Sequence, residues 1–344
     1  MKAVQYEQHG GADVLHYIEL PDPEPGPRDV VVRVRRCALN HLDVVQRNGW
    51  FTLPGFELPH IPGMDIAGEV VAIGSDVDEV AIGERVVVDP SLTNVADGSI
   101  LAGMGDLYGT LGVIGANRDG GYAELCVAPA SHLHRVPSHI TDDAAAAFPT
   151  AYLTAWHALH EIGKLERGET VLIHAAGSGV SVAGIQLAKH FGARVLATAG
   201  TDDKCGRALE LGADAALNNR NGDVTAWARE LTGGAGVDMV FDHVGPALFA
   251  ASLFALRPRG RLVTCGNTTG DAPVIPSLGY VFHMGLQILG SDPYRYHEFA
   301  DAWSVFCNGS FSAPIDRVYP LAEAAAAQEQ LASSAFFGKI LLAP

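Results

Sequence analysis

The sequence predicts an α/β protein in which a mostly β domain is followed by a doubly wound parallel sheet. Residues 1 to about 127 contain short β-like runs such as VVVRVRR and RVVVDP, separated by Pro- and Gly-rich turns such as PDPEPGPRD. From about 150 to 295, apolar strands without internal alternation are separated by helical stretches, a pattern typical of a parallel sheet buried on both faces. The length of 344 residues favours two domains over a single core.

The expected strands of the second region are short and follow one another at the spacing of strand–helix units. In chain order they are TVLIHA, RVLATA, DMVFD, RLVTCG and LQILGS. A helical segment begins after residue 296, and AEAAAAQEQLA precedes a closing strand, GKILLAP. The pattern therefore predicts helices between the strands and one further strand at 338–344.

Composition and charge restrict the class of partner. The net charge of −16 disfavours nucleic acid and anionic lipid surfaces. No apolar stretch approaches the roughly 20 residues that span a membrane, and the start MKAVQYEQHG lacks the apolar core of a signal peptide. Five widely spaced cysteines without a CxxC pair indicate reduced thiols. We expect a cytoplasmic protein that acts on a small molecule, without a nucleic-acid or membrane partner.

Gly177, Ser178 and Gly179 form the strongest single motif, because they lie between a predicted strand and a predicted helix. Such a turn brings backbone N–H groups against a pyrophosphate, which the positive end of the following helix also attracts. Val182 stands where a third glycine would complete the GxGxxG pattern, so the turn alone is weak evidence. A second strand at the correct distance and further strand–helix units downstream predict a dinucleotide cofactor.

Several blocks of the sequence follow the order of one known family: MKAVQYEQHG, ALNHLDVVQRNG, PGMDIAGEVVAIG, GGYAELCVAP, AAGSGVSVAGIQLAK and AFFGKILL. Over essentially its whole length the chain resembles the medium-chain dehydrogenase/reductase superfamily, in its quinone oxidoreductase-like branch. The resemblance implies a GroES-like, mostly β catalytic domain formed by residues 1–127 and 296–344. It also implies a Rossmann dinucleotide-binding domain at 128–295 with six parallel strands.

The resemblance also indicates where zinc-dependent relatives hold their catalytic metal. The matching positions here are Asn40, Met64, Asp65 and Thr150. Zinc prefers thiolate, imidazole and carboxylate ligands, so only Asp65 among these side chains is an effective ligand. We therefore expect no metal site.

A second, structural zinc of the family is bound by four cysteines in a lobe that corresponds here to residues 93–110. The positions that match those cysteines are Asn94, Asp97, Ile100 and Tyr108. We expect this lobe to bury its own apolar side chains, with a mobile loop as the alternative. These apolar side chains are Ile100, Leu101, Met104, Leu107 and Tyr108.

Without zinc, the oxygen on which charge develops must be stabilised by hydrogen bonds. The amide of Asn40 and the hydroxyl of Tyr152 are the candidate donors, and Asp43 is expected to orient the loop of Asn40. The alternative is that Asn40 and Asp43 only satisfy a turn. The resemblance implies a substrate pocket lined by His41, Trp50, Phe51 and Phe282, each of which core packing could also explain.

The resemblance further implies a set of cofactor contacts: Thr154, Gly177, Ser178, Gly179, Val180, Ser181, Gly200, Thr201, Lys204, His243, Val244, Cys265, Gly266, Asn267 and Lys339. NAD-selective sites carry an acid at the end of the second strand, where this chain has Ala199. With Lys204 nearby, the sequence favours NADPH over NADH. Asp202 and Asp203 oppose this preference unless they cap the next helix and face solvent.

The resulting hypothesis is an NADPH-dependent, zinc-independent reductase of quinones or α,β-unsaturated carbonyl compounds. A zinc-free alcohol or aldehyde dehydrogenase is one alternative, and a nucleotide-binding protein without turnover is another. The resemblance also suggests a homodimer that pairs through residues 286–291 at the edge of the Rossmann sheet.

Overall fold

Two units divide the chain, and each is built around a β-sheet. The structure is a computed structural model that describes residues 1–92, 112–309 and 311–344. The first unit combines Met1–Thr150 with Arg295–Pro344, and the second is Ala151–Tyr294. The prediction that the lobe at 93–110 buries its own apolar side chains lies outside the described residues.

The N-terminal segment of the first unit is mostly β because its apolar residues alternate along short strands. The strands are β1 (Lys2–Gln5), β2 (His16–Glu19), β3 (Asp29–Ala38), β4 (Asp65–Ile73), β5 (Arg85–Val88), β6 (Leu125–Pro129) and β7 (Leu133–Arg135). Helix α1 (His41–Arg47) directly follows β3, and α2 (Asp142–Ala147) ends the segment. Val32 of β3, Val70 of β4 and Val88 of β5 are fully buried and belong to the core of this unit.

The second unit alternates strand and helix as the sequence predicts. Its elements begin with α3 (Pro149–Trp156) and a π-helical turn (His157–Ile162), followed by β8 (Thr170–Ile173), α4 (Gly179–His190), β9 (Arg194–Ala199), α5 (Asp202–Glu210), β10 (Ala215–Asn218), α6 (Val224–Leu231), β11 (Val237–Asp242), α7 (Pro246–Ala255), β12 (Leu256–Thr264), α8 (Leu278–Met284) and β13 (Gln287–Gly290). No helix in the described ranges combines the length and apolar character that a membrane crossing requires.

The sheet of the second unit confirms the predicted doubly wound fold. Its order is β10-β9-β8-β11-β12-β13, and every neighbouring pair is parallel. Because the chain proceeds in opposite directions from β8 and from β11, the loops after these strands separate at one edge. That edge is where open parallel sheets bind ligands.

The C-terminal segment returns to the first unit and completes its sheet. It contains α9 (Tyr296–Asn308), β14 (Ile315–Pro320), α10 (Ala324–Ser333) and β15 (Lys339–Ala343). The sheet order is β14-β15-β3-β4-β5-β7, with β6 also paired to β3. Antiparallel pairing sets Leu342 opposite Cys37, and the backbone N–H of Leu39 donates to the carbonyl of Ile340 at 2.9 Å. This register brings Lys339 next to the loop that begins after β3.

The first unit extends further along the chain than the sequence predicts, because its boundary falls after Thr150 rather than at 127. Strands β6 and β7 pair with β3 and β5, and helix α2 is tied to the same sheet by ion pairs. Arg85 contacts Asp142 at 2.5 Å, and Arg36 contacts Asp143 at 2.6 Å. The second boundary, after Tyr294, lies beside the predicted residue 295.

A glycine substitution distinguishes a packed position of the fold from an open one. A Cβ at Gly68 in β4 would lie 2.1 Å from the carbonyl oxygen of Arg33 in β3, whereas one at Gly206 in α5 would have no neighbour within 4 Å. We predict that Gly68→Ala lowers the free energy of unfolding by about 1–3 kcal/mol, and that Gly206→Ala raises it by about 0.5–1 kcal/mol. Urea denaturation of both variants checks this, and two changes of the same sign would contradict it.

Candidate active site

The glycine turn of the second unit lies at the carboxyl edge of its sheet. Ser178 precedes α4 as the N-cap residue, so the helix begins directly after the turn. A Cβ at Gly177 would lie 3.0 Å from Cδ and 3.2 Å from Nζ of Lys204, which brings this cation against the turn. Backbone N–H groups, a helix N-terminus and a lysine thus meet at one point, and together they suit a pyrophosphate.

A buried hydrogen-bond network joins Ser181 and His243, two of the predicted cofactor residues. Ser181 Oγ donates to the carbonyl of His174 at 2.6 Å and lies 2.7 Å from His243 Nε2. The two ring nitrogens of His174 lie 2.8 Å from Thr198 Oγ1 and 2.9 Å from Ser252 Oγ. Burial lowers the pKa of His174 to about 3, so the ring is neutral at physiological pH. The ends of β8, β9 and β11 are therefore held together by neutral polar contacts.

The turn after β11 adds a second group of predicted cofactor residues. Asp242 is fully buried, and its Oδ1 accepts from the backbone N–H groups of Val244 and Gly245 at 2.7 and 3.1 Å. Cys265 follows β12 and donates its N–H to the carbonyl of Asp242 at 3.1 Å. A Cβ at Gly266 would lie 3.1 Å from that of His243. Residues 243–245 and 265–267 therefore form adjacent loops at the same sheet edge.

Two cations flank the end of β9, where selectivity for the adenosine ribose is expected. Ala199 is the last residue of that strand, and the Thr201 hydroxyl caps α5 by accepting from the N–H of Lys204 at 3.3 Å. A Cβ at Gly200 would lie 3.3 Å from Nε of Arg220. Arg220 follows the neighbouring parallel strand β10, so its position could have been predicted from the order of the strands. Arg220 is not among the cofactor residues predicted from the sequence.

The two acidic side chains that could repel an anion at the end of β9 are exposed. Asp202 and Asp203 lie in the first turn of α5, and both side chains face solvent, as the sequence analysis required. Asp202 accepts a hydrogen bond from Asn218 Nδ2 at 2.8 Å. The guanidinium of Arg220 makes no hydrogen bond or ion pair with any residue in the described ranges.

In the first unit, Lys339 links the residues that match the metal ligands of zinc-dependent relatives. Its Nζ donates to the carbonyl of Leu39 at 2.8 Å, to Asn40 Oδ1 at 2.8 Å and to Asp65 Oδ2 at 3.0 Å. The other oxygen of Asp65 accepts from the backbone N–H of Thr150 at 3.0 Å and from its hydroxyl at 2.5 Å. The resemblance implied a cofactor contact for Lys339, but all three of its N–H donors have acceptors within the first unit.

A second buried network supports the loop of Asn40. Asp43 Oδ2 accepts from the backbone N–H of Asn40 at 2.8 Å and from the Tyr122 hydroxyl at 3.2 Å. Gln328 donates to that hydroxyl at 3.4 Å and accepts from Arg47 at 2.5 Å. Burial raises the pKa of Asp43 from its ordinary value to about 7, and the carboxylate of Asp65 adds to the rise. The network joins α1 to α10 and fixes the start of α1.

The predicted aromatic residues of the first unit lie at its surface. Trp50 is 75% exposed and Phe51 is 44% exposed, both just beyond the end of α1. His41 is also exposed, and its ring centroid lies 6.5 Å from that of Phe336. Packing within the first unit does not account for the exposed side chain of Trp50.

The predicted residues of the second unit differ more in their surroundings. Tyr152 is buried, and its hydroxyl accepts a hydrogen bond from Gln186 at 3.0 Å. Desolvation raises the pKa of this phenol well above its ordinary range. Thr154, further along α3, is half-buried, whereas Phe282 on α8 is 68% exposed. Tyr152 therefore contributes to the packing of its own unit, in addition to any role toward a ligand.

The raised pKa of Asp43 predicts a pH dependence of stability. Since the folded carboxyl titrates near 7 and the ordinary value is 3.8, the folded state binds the extra proton between these pH values. The contribution of protonated Asp43 to the free energy of unfolding is therefore complete below about pH 4, and it is lost as the pH rises to about 7. We predict that the unfolding free energy of the wild type, minus that of Asp43→Asn, falls across this range by up to about 1.4 kcal/mol per pH unit. Parallel pH profiles for the two proteins, measured in urea, would contradict the assignment.

Comparison with known proteins agrees with this geometry. Residues 26–138 match the alcohol dehydrogenase GroES-like domain, and residues 179–308 match the zinc-binding dehydrogenase family. A quinone oxidoreductase of Pseudomonas aeruginosa is 32% identical over 352 aligned positions, which cover 100% of this chain and 99% of that protein.

Solved structures give the same result over the full length. A crystal structure of an NAD-dependent alcohol dehydrogenase has 39% identity and a TM-score of 0.94, with 100% of each chain covered. The Escherichia coli quinone oxidoreductase complexed with NADPH has 28% identity and a TM-score of 0.83, again with 100% of each chain covered. One domain match lies within the first unit, the other covers residues 179–294 of the second unit and continues into α9, and the full-length relatives cover both units. The chain therefore belongs to the medium-chain dehydrogenase/reductase superfamily and is an oxidoreductase.

Proposed function

We propose that this oxidoreductase uses NADPH, without zinc, to reduce quinones or α,β-unsaturated carbonyl compounds. The observation that carries the proposal is the arrangement of Lys339, Asp65 and Asn40, in which a lysine ammonium and an amide stand among the positions of the catalytic metal ligands. The relatives named quinone oxidoreductase support the same class of reaction. The five cysteines are all free thiols, which supports the proposal that the protein acts in the reducing cytoplasm.

The donor set does not fit a catalytic zinc ion. Asp65 is the one strong ligand among the four matching positions, and both of its oxygens accept hydrogen bonds from Thr150 and Lys339. An amide, a thioether and a hydroxyl do not replace the thiolate and imidazole that zinc prefers. In the part of the chain that the structure describes, no group of three His, Cys, Asp or Glu side chains could hold a metal ion. The positive charge at this site therefore comes from Lys339.

Hydrogen bonds from the chain then determine which substrates can react. When bound, reduced nicotinamide supplies a hydride to an electrophilic carbon. In an enone or quinone the charge develops on a conjugated oxygen, to which the Asn40 amide can donate. A proton taken up at the α-carbon, or at the oxygen of a quinone, completes the reduction. Conjugation spreads the charge, so such substrates need less electrophilic help than a simple carbonyl group.

The cofactor preference rests on the cations at the end of β9. Lys204 and Arg220 both lie beside glycines of the loops that follow β8 and β9, where they can bind a 2′-phosphate. Ala199 supplies no carboxylate to repel that phosphate. The solved relative complexed with NADPH supports this assignment.

A zinc-free alcohol dehydrogenase is the second candidate. The observation that favours it is the 39% identity to a structure named NAD-dependent alcohol dehydrogenase. Hydride would then move in the opposite direction, from an alcohol carbon to oxidised nicotinamide, and a base would have to accept the hydroxyl proton. The two candidates differ in their substrates and in the cofactor that they use.

The function is tested by NADPH oxidation with a panel of quinones and enones, and by NAD⁺ and NADP⁺ reduction with a panel of alcohols. We predict turnover with the first panel, no loss of activity after chelation, and a zinc content far below one ion per chain. Asn40→Ala should lower kcat by roughly a hundredfold if its amide stabilises the developing charge.

Asn308→Ala, an exposed change at the end of α9, is the matched control and should leave kcat unchanged. Turnover of alcohols alone would favour the second candidate. Binding of NADPH without any turnover would indicate a nucleotide-binding protein.

The cofactor preference is tested by the ratio of kcat/KM for NADPH and NADH on one substrate. We predict that Lys204→Ala and Arg220→Ala each lower this ratio by about tenfold, the size expected for one charge-assisted hydrogen bond. Ala199→Asp should reverse the preference, because its carboxylate repels the phosphate. Lys164→Ala removes an exposed cation of the second unit that pairs with Glu161, and it should leave the ratio unchanged. A wild type that prefers NADH would refute the phosphate site.

We also propose a homodimer that forms through the edge of the parallel sheet. Strand β13 is an edge strand of the six-stranded parallel sheet, and Ile288 in this strand is 39% exposed. An apolar edge strand without a partner promotes uncontrolled pairing, so association with a second copy explains it. Light scattering should give a mass of about twice 36.2 kDa for the wild type.

Ile288→Lys should shift this mass toward the monomer, whereas Ile82→Lys, at a 64% exposed position of the first unit, should not. A wild-type monomer at micromolar concentration would rule out the dimer.

A further inference from the structure

We propose that Lys339 is a positioning residue that orients and polarises the amide of Asn40, so that the amide N–H₂ serves as the electrophile toward the substrate oxygen. The inference rests on the proposed function, because it assigns a partner to the donor that the reaction needs. It differs from the cofactor role that the resemblance implied for Lys339. Three features of the first unit support it: the chemistry of the contact, the state of the amide nitrogen and the rigidity of the strands.

The Lys339–Asn40 contact fixes which atom of the amide faces the lysine. An ammonium group has only donors, so it must meet the amide oxygen, and its Nζ lies 2.8 Å from Asn40 Oδ1. Rotating the amide by 180° would set its N–H₂ group against the positive charge. Asn40 therefore keeps its nitrogen turned away from Lys339.

The amide nitrogen that results from this orientation has no acceptor. Asn40 Nδ2 is shielded from solvent and has no hydrogen-bond partner among residues 1–92, 112–309 and 311–344. An unsatisfied buried donor costs about 1–3 kcal/mol, and a catalytic role is one of the reasons for which native proteins retain such a group. A bound oxygen that develops negative charge would satisfy this donor. The amide is thus held ready for an acceptor that the chain itself does not supply.

The charge on Lys339 strengthens this donor. A cation at the amide oxygen draws electron density from the nitrogen, and hydrogen bonds in a buried chain polarise one another. The carboxylate of Asp65 does not completely cancel the polarisation of the Asn40 amide by Lys339. Part of its negative charge is taken up by Thr150, which donates two hydrogen bonds to the other oxygen of Asp65. The side chain of Lys339 is 8% exposed and that of Asp65 is fully buried, so water does not screen the ammonium strongly.

Lys339 and Asp65 are carried by strands of one sheet and Asn40 lies just after the strand between them, which holds the geometry of the three side chains before any ligand binds. Lys339 begins β15, Asp65 begins β4, and Asn40 follows the end of β3, the strand that lies between them. Gly338 has a φ of +93°, and a Cβ there would lie 2.0 Å from the carbonyl oxygen of Pro314. The residue before Lys339 is therefore restricted to glycine. Such preorganisation is the property that makes hydrogen-bond donors effective in catalysis.

The test is a mutant cycle that keeps the buried charges balanced. Lys339→Met alone would leave Asp65 as an unpaired buried anion, so it is combined with Asp65→Asn. We expect this neutral pair to fold, to bind NADPH with the wild-type Kd, and to lower kcat for an enone by about tenfold, less than the loss expected for Asn40→Ala. In the Asn40→Ala background, the same neutral pair should lower kcat by less than about twofold, since the residue through which Lys339 acts is absent.

A spectroscopic measurement gives a readout that does not depend on turnover. With ¹⁵N-labelled asparagine, the side-chain resonance of Asn40 is identified by its loss in Asn40→Ala. That resonance should move when the neutral pair replaces Lys339 and Asp65, because the cation at the amide oxygen is gone. The side-chain resonance of Asn308, at the end of α9, should stay in place.

The kinetic and spectroscopic results together decide whether Lys339 acts through Asn40. Equal losses of kcat with and without Asn40, or an unmoved amide resonance, would overturn the proposal. A weaker NADPH Kd with an unchanged kcat would assign Lys339 to the cofactor and would also overturn it. If the wild type reduces no quinone or enone, the proposed function fails, and the amide resonance still decides whether Lys339 polarises Asn40.

Discussion

The first unit depends on the buried ion pair between Lys339 and Asp65. These residues are 274 positions apart in the sequence, yet the pair connects the last strand of the chain to the start of β4. Removing one partner of such a pair costs about 3–5 kcal/mol, because the other charge is left buried without compensation. The register of β15 against β3 brings the pair together, and the same ammonium also donates to Asn40 Oδ1 at 2.8 Å. The remaining polar groups of the site are arranged around it.

The interior of the first unit is unusually polar beside this pair. Asp43, Tyr122, Gln328 and Arg47 are all buried and form one continuous set of hydrogen bonds. Each side chain in the set needs its neighbour, since an isolated buried polar group is costly. The set fixes α1 against α10, and α1 in turn fixes the loop that carries Asn40. The geometry at the amide is therefore determined by residues on both segments of the unit.

The sequence was sufficient to predict the fold of the second unit, because the features that define this fold are local in the sequence. Apolar strands, a glycine turn and intervening helices predict a parallel sheet without knowledge of distant contacts. The end of β9 was also predictable, and Ala199 and Lys204 were identified by counting back from residues 210–213, a block that the family resemblance supplied. Arg220 was missed because its proximity to Gly200 depends on which strand lies beside β9.

The first unit shows where local patterns fail. The family resemblance marked Asn40 and Asp65 as positions of the catalytic metal ligands, and Asp43 was expected to orient the loop of Asn40. It did not indicate that Lys339 meets them, because that contact requires the antiparallel register between β15 and β3. The boundary was set too early for the same reason, since β6, β7 and α2 join the first unit through strand pairs and ion pairs. Tyr152 was assigned from its hydroxyl group and from the family resemblance, and its burial was not visible in the sequence.

The discontinuous first unit also has a consequence for the synthesis of the protein. The ribosome makes β3 and β4 long before β15, and the whole second unit is made between them. Until β15 emerges, Asp65 has no ammonium partner and β3 has an unpaired edge toward the position of that strand. The second unit is formed by one continuous segment of the chain, and its contacts join residues of that segment. It can therefore fold while it is being made. The nascent chain thus acquires the glycine turn after β8 before the contacts among Lys339, Asp65 and Asn40, and the first segment stays incomplete during that interval.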